Sequence, residues 1–153
     1  MVSPVLYFAY GSNMKIERMT QRAPKARVVG QAKILNKSLV CNKKSTDGSG
    51  KANLIDSPGD MVWGVLYEMD ESELLELDNV EGGYKRVEVE VLDEQGHSMV
   101  VQTYVSEKPT KEAWVYEGYK ALILSGAREH QLPEKYIEDL EGIPTKPDPS
   151  ENP

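Results

Sequence analysis

The chain has 153 residues, enough for one domain with a real core and too few for a comfortable second. A formal charge of −7 and a sequence pI near 4.9 argue against a nucleic-acid or membrane-surface footprint, because both partners are anionic and reward basic patches. Cys41 is the single cysteine, which excludes an internal disulfide framework and fits a reducing cytoplasm, while His97 and His130 are too few and too separated to suggest a metal site.

Val5 to Tyr10 is β-branched or aromatic at most positions and reads as a strand that ends abruptly in Gly11-Ser12-Asn13. Gly11 lets the chain bend and Asn13 is placed to cap a helix from Met14 to Arg22. A helix N-terminus offers backbone N–H groups without intrahelical partners and a partial positive charge, so this corner suits a carboxylate or phosphate. Arg27 to Cys41 reads as one or two strands, and Asn42 to Gly50, lacking an apolar anchor, as an exposed loop. A short strand at Ala52 to Ile55 is separated by the turn Asp56-Ser57-Pro58-Gly59-Asp60 from a second strand, Met61 to Met69, apolar on nearly both faces and therefore central.

Asp70 with Glu73 resembles a capping box and opens a helix through Leu74, Leu75 and Leu77. After the connection 78–84, Val87, Val89 and Val91 alternate with Arg86, Glu88 and Glu90, the mark of a strand with one wet face. Asp93-Glu94-Gln95-Gly96 turns this strand into a partner at His97 to Val105. A helix begins between Thr110 and Glu117 and runs to about Glu129, and Pro133 starts a last one through Tyr136, Ile137 and Leu140. Residues 1–141 thus form one domain, and the polar, Pro-rich segment 142–153 reads as a disordered tail. Strand, helix, several antiparallel strands, helix, hairpin and helices define an α+β chain rather than a repeating βαβ one.

Among the acidic residues Glu81 stands out, because Gly82-Gly83 after it removes Cβ atoms from the path of a substrate. Shielding a carboxyl from water disfavours its charged form and moves it toward useful proton transfer. Tyr119 is a second candidate, since a phenol donates a hydrogen bond to a ligand while its ring packs. Cys41 reads as a buried small hydrophobe, the two histidines as surface residues, and Trp63 and Trp114 as packing.

Four blocks in order, Phe8-Ala9-Tyr10-Gly11-Ser12-Asn13, then Ser57-Pro58-Gly59-Asp60 with Val62-Trp63-Gly64-Val65, then Leu77-Asp78 with Glu81-Gly82 and Tyr84, then Tyr119 through Tyr136, resemble the gamma-glutamylcyclotransferase family. The resemblance covers roughly Val5 to Leu140. It implies an α+β fold around a closed or nearly closed mixed β-sheet, a small barrel flanked by short helices, with its pocket beside the Tyr-Gly-Ser-Asn turn. It also implies release of 5-oxoproline from a gamma-glutamyl amide, with Glu81 as catalytic base and acid and Tyr10, Gly11, Ser12, Asn13 and Tyr119 binding the substrate. The partner implied is a small gamma-glutamyl molecule in the cytoplasm, with no cofactor or metal, no nucleic acid and no membrane, and with room for a homodimer. The leaving amine is not readable, so a gamma-glutamylamine cyclotransferase or a deprotecting enzyme of a biosynthetic route shares the expectation. A non-catalytic binding relative would keep the turn without needing Glu81.

Overall fold

The computed structural model describes residues 4–45, 47–80, 82–107, 109–110 and 114–148. Its elements in chain order are β1 (Pro4–Ala9), a 3-10 turn (Ser12–Met14), α1 (Ile16–Arg22), β2 (Arg27–Lys44), β3 (Gly50–Asp70), α2 (Glu71–Val80), β4 (Lys85–Asp93), β5 (Ser98–Val105), β6 (Val115–Tyr116), α3 (Glu117–Glu129), α4 (Glu134–Glu141) and β7 (Thr145–Lys146). Strands β1, β3, β2, β4 and β5 close in that order into a barrel, the mixed sheet expected for an α+β chain. Closure is made by one parallel pair, Tyr7 opposite Gln102, because β1 and β5 run the same way while the other ladders are antiparallel. The end of β1 is buried on both faces: Tyr7, Phe8 and Ala9, with Tyr10 just beyond the strand, belong to one core with Val65, Leu66, Tyr67, Val91 and Val101.

The long hairpin β2–β3 replaces the shorter strands expected from sequence. Ser57-Pro58-Gly59-Asp60 is a bulge, not a strand end: Leu35 faces Met61 and Lys37 faces Asp56, leaving Asn36 alone opposite four residues. Asn36 and Gly59 both take positive φ there, 60° and 89°, and the Gly59 N–H donates to Asn36 Oδ1 at 3.1 Å. Residues 42–45 and 47–50 likewise depart from a plain exposed loop. Strand β2 runs on through Lys44, Ser49 and Gly50 are buried, and the Gly50 N–H donates to the Trp114 carbonyl at 2.8 Å.

The chain after β1 is also more broken than a single helix from Met14. Met14 N–H donates to Gly11 O and Lys15 N–H to Ser12 O, closing a 3-10 turn, and Lys15 rather than Asn13 stands before α1. Asn13 is drawn away from capping because its amide donates to Tyr7 Oη at 3.0 Å and accepts from Arg22 Nη1 at 2.9 Å. Glu73 does not close a capping box either: it is buried and accepts the Lys25 N–H at 2.9 Å, tying α2 to the segment after α1.

Helix α3 backs the turn. Gly126 lies so close that a Cβ there would meet Lys15 N at 2.7 Å, which lets α3 rest directly on the turn's backbone. His130, expected at the surface, is instead enclosed here, and its Nε2 donates to the Met14 carbonyl at 2.7 Å. Beyond Gly142, Thr145–Lys146 pair in parallel with Val115–Tyr116, and Lys120 Nζ donates to the Ile143 carbonyl at 3.1 Å. Each strand of that pair is only two residues long, too short to show a period in the sequence. No helix among the described residues is long and apolar enough to cross a membrane.

Candidate active site

A cavity of about 40 Å³ sits at the mouth of the barrel, lined by Tyr7, Tyr10, Gly11, Ser12, Asn13, Ala52, Tyr84, Tyr104 and Tyr119. The five binding residues expected from sequence therefore meet in one place, although Tyr119 is separated from the turn by more than a hundred positions. Glu81 lies outside the described residues. Its neighbours Val80 and Gly82 do line a second cavity of about 130 Å³, which shares Ser12, Tyr84 and Tyr119 with the first.

The turn is held from beneath. Tyr67 Oη donates to the carbonyls of Asn13 and Met14 at 2.8 and 3.0 Å, so both oxygens point into the core rather than toward the cavity. Gly11, Ser12 and Asn13 of this turn line the cavity. Burial, aided by the Glu129 charge, pushes the Tyr67 phenol above its ordinary range and keeps it a donor.

Tyrosines form the remaining walls, and each is fixed by its hydroxyl. Tyr10 donates to the Tyr104 carbonyl at 2.5 Å, and Tyr84 donates to the Ala52 carbonyl at 2.5 Å. Tyr119 Oη accepts the Ala52 N–H at 3.0 Å, so one residue of β3 is gripped by two tyrosines from β4's approach and α3. Tyr7 packs edge-on against Tyr104 with ring centres 5.7 Å apart. Tyr104 is itself raised above the normal phenol range by burial, then by its hydrogen bond to Asp78 and that carboxylate's charge. Phenols so placed make an apolar, narrow slot with polar tips, suited to an aliphatic chain that ends in charged or amide groups.

Sequence reasoning did not single out Tyr7, Ala52 or Tyr104 for this site. Their alternation within strands reads as core, and only the barrel's mouth turns three core positions into a pocket wall. Tyr84 did stand in the matched blocks but without a role.

Residues 61–140 match the AIG2-like family. Gamma-glutamylcyclotransferase of Homo sapiens is 35% identical over 152 residues, covering 90% of this chain and 78% of the relative, and that of Mus musculus is 34% identical over the same shares. A solved gamma-glutamyl cyclotransferase superposes with a TM-score of 0.85 at 32% identity, covering 99% of this chain and 93% of the other. The chain belongs to the AIG2-like family and, within it, to the gamma-glutamylcyclotransferases.

Proposed function

We propose that this protein is an enzyme that releases 5-oxoproline from gamma-glutamyl amides. The observation that carries the reading is the narrow tyrosine slot ending on the Gly11-Ser12-Asn13 turn, in a chain whose relatives are gamma-glutamylcyclotransferases. In the reaction the substrate's own α-amine attacks its γ-carbonyl. A bond forms between the α-nitrogen and the γ-carbon, the amide C–N bond breaks, and the proton lost by the α-amine ends on the departing nitrogen.

Because the nucleophile arrives with the substrate, the protein's main task is to fold the glutamyl chain into a ring-closing pose. Anchoring the α-carboxylate on N–H groups of Gly11, Ser12 or Asn13 fixes one end of that chain, with Tyr10 and Tyr119 confining its methylenes. Comparable donors at the γ-carbonyl would stabilise the oxyanion of the tetrahedral intermediate.

Glu81 carries the proton in this scheme, as base toward the α-amine and then as acid toward the leaving nitrogen. Its support is its place in the sequence between Val80 and Gly82, both of which line the second cavity. A single cysteine and an acidic surface charge suit a cytoplasmic setting in gamma-glutamyl peptide and glutathione metabolism.

The test is a panel of gamma-glutamyl amides incubated with the purified protein and assayed for 5-oxoproline. The reading requires release from at least one member, and its absence from all of them would leave a binding protein. Glu81→Gln should lower turnover by about two to four orders of magnitude with folding retained. Near-normal turnover by that variant would remove Glu81 from the mechanism without touching the activity itself.

A further inference from the structure

The C-terminal half of α3 grips the residues that join the Ser12–Met14 turn to α1. Lys15 Nζ donates to Ser125 Oγ at 2.7 Å, and Gly126 lies against the Met14 and Lys15 backbone. The Ile16 N–H donates to Glu129 Oε1 at 2.8 Å, and His130 Nε2 donates to the Met14 carbonyl at 2.7 Å. Ser125 with Glu129, and Gly126 with His130, are spaced by four, which sets them on one side of the helix. Near the start of the same helix, Tyr119 Oη accepts the Ala52 N–H at 3.0 Å in the wall of the slot. One helix therefore walls the slot at one end and holds the turn at the other.

Of these residues, His130 is the one that folding alone does not call for. The Met14 carbonyl already accepts from Tyr67 Oη at 3.0 Å, which satisfies a buried acceptor. The imidazole takes the second lone pair, and does so enclosed, with 8% of its side chain exposed, where an apolar group would pack without desolvating a polar ring. Its backbone cannot retreat from the turn, because Gln31 Nε2 on β2 donates to the His130 and Gln131 carbonyls at 2.6 and 3.0 Å. A carbonyl held by one donor can swivel about it, whereas donors on two separate elements, β3 and α3, fix its direction. The peptide unit is planar, so fixing the Met14 carbonyl also fixes the Lys15 N–H, which closes the turn on the Ser12 carbonyl at 3.2 Å.

We propose that His130 is a positioning residue for the release of 5-oxoproline: by fixing the Met14 carbonyl jointly with Tyr67, it sets the orientation of the substrate-anchoring turn relative to Tyr119. The inference rests on the cyclotransferase reading, in which that turn holds the substrate's α-carboxylate. His130 is not among the residues lining the slot and acts only through the backbone of the turn. Ring closure needs the α-nitrogen within attack distance of the γ-carbon, so a small rotation of the anchor displaces the nucleophile even while the carboxylate stays bound. The effect of His130 therefore falls on kcat more than on KM.

The test takes the most reactive member of the gamma-glutamyl amide panel and measures 5-oxoproline release by the native protein and by variants at His130, with circular dichroism on each at the assay temperature. His130→Leu and His130→Ala remove the donor, while His130→Gln returns an N–H near the place of Nε2. In the Leu and Ala variants kcat should fall by about tenfold or more with KM changed by less than about threefold, and the Gln variant should recover most of the lost kcat. If the Leu side chain prevents folding, the Ala variant decides. Arg128→Gln is the control on the same helix end, since Arg128 reaches Glu141 instead, and it should behave as the native protein. A folded Ala variant with kcat within about twofold of native, or a Gln variant no faster than the Ala one, overturns the role of His130 while the cyclotransferase stands. No 5-oxoproline from any member of the panel with the native protein overturns both.

Discussion

Tyr104 Oη donates to Asp78 Oδ1 at 2.5 Å, and Arg86 Nε reaches the same oxygen at 3.0 Å. The contact ties the last turn of α2, three residues before Glu81, to β5 and β4, the strands that form one side of the barrel mouth. Tyr104→Phe keeps the ring against Tyr7 but removes the donor. The expected cost is about 1–2 kcal/mol in chemical denaturation, and on the proposal that Glu81, three residues beyond Asp78, carries the proton, kcat should fall by more than KM rises. Unchanged kcat in a folded Tyr104→Phe variant would make the link purely structural.

Gly11 matters for space. A Cβ there would meet Ala52 Cβ at 3.0 Å and Tyr119 Oη at 3.5 Å, inside the slot. Gly11→Ala should therefore be folded and impaired, and Gly11→Val folded with kcat/KM down by about a hundredfold or more, because its branches fill the room the substrate needs. Steady-state kinetics with a thermal melt on each variant check this. Full activity in Gly11→Val would place the glutamyl chain elsewhere.

Local signals in the sequence located much of this molecule. The apolar strand at Val5 to Tyr10, the Asp93 to Gly96 hairpin and Pro133 before α4 each depend on neighbours a few positions away, and each stands where expected to within a residue or two. What was hidden depends on register. The β2–β3 hairpin hides its continuity because Asn36 absorbs four residues in a bulge that looks like a turn, and Lys43 meets Lys51 only through that ladder. The short β6–β7 pairing holds two polar residues to a strand that has no periodicity of its own. For the site, the turn was legible from its residue types, whereas Tyr7 and Tyr104 look like ordinary core until the barrel closes around them.

Cys41 supplies a pH dependence. Burial pushes its thiol up from 9.0 to about 12, against a smaller opposing pull from Lys51. The folded state thus holds a proton that the unfolded chain releases above about 9, so stability is fully present below that pH and falls as pH rises toward 12. The slope should approach about 1.4 kcal/mol per pH unit at most. Denaturation midpoints between pH 8 and about pH 10 should show the decline in the native protein and a flatter profile in Cys41→Ala. Identical profiles would mean that the thiol does not titrate with unfolding.

In the proposed reaction the substrate's own amine is the nucleophile, so a substrate whose amine is blocked should be inert. A gamma-glutamyl amide with a free α-amine should yield its amine and one equivalent of 5-oxoproline, whereas its N-acetyl counterpart should yield nothing at any enzyme concentration that turns over the first. A water-using amidase would release glutamate and has no chemical need for the α-amine. Cleavage of the N-acetyl substrate at a comparable rate, or glutamate as the first product from the free-amine substrate, would contradict cyclisation even if Glu81 proved essential.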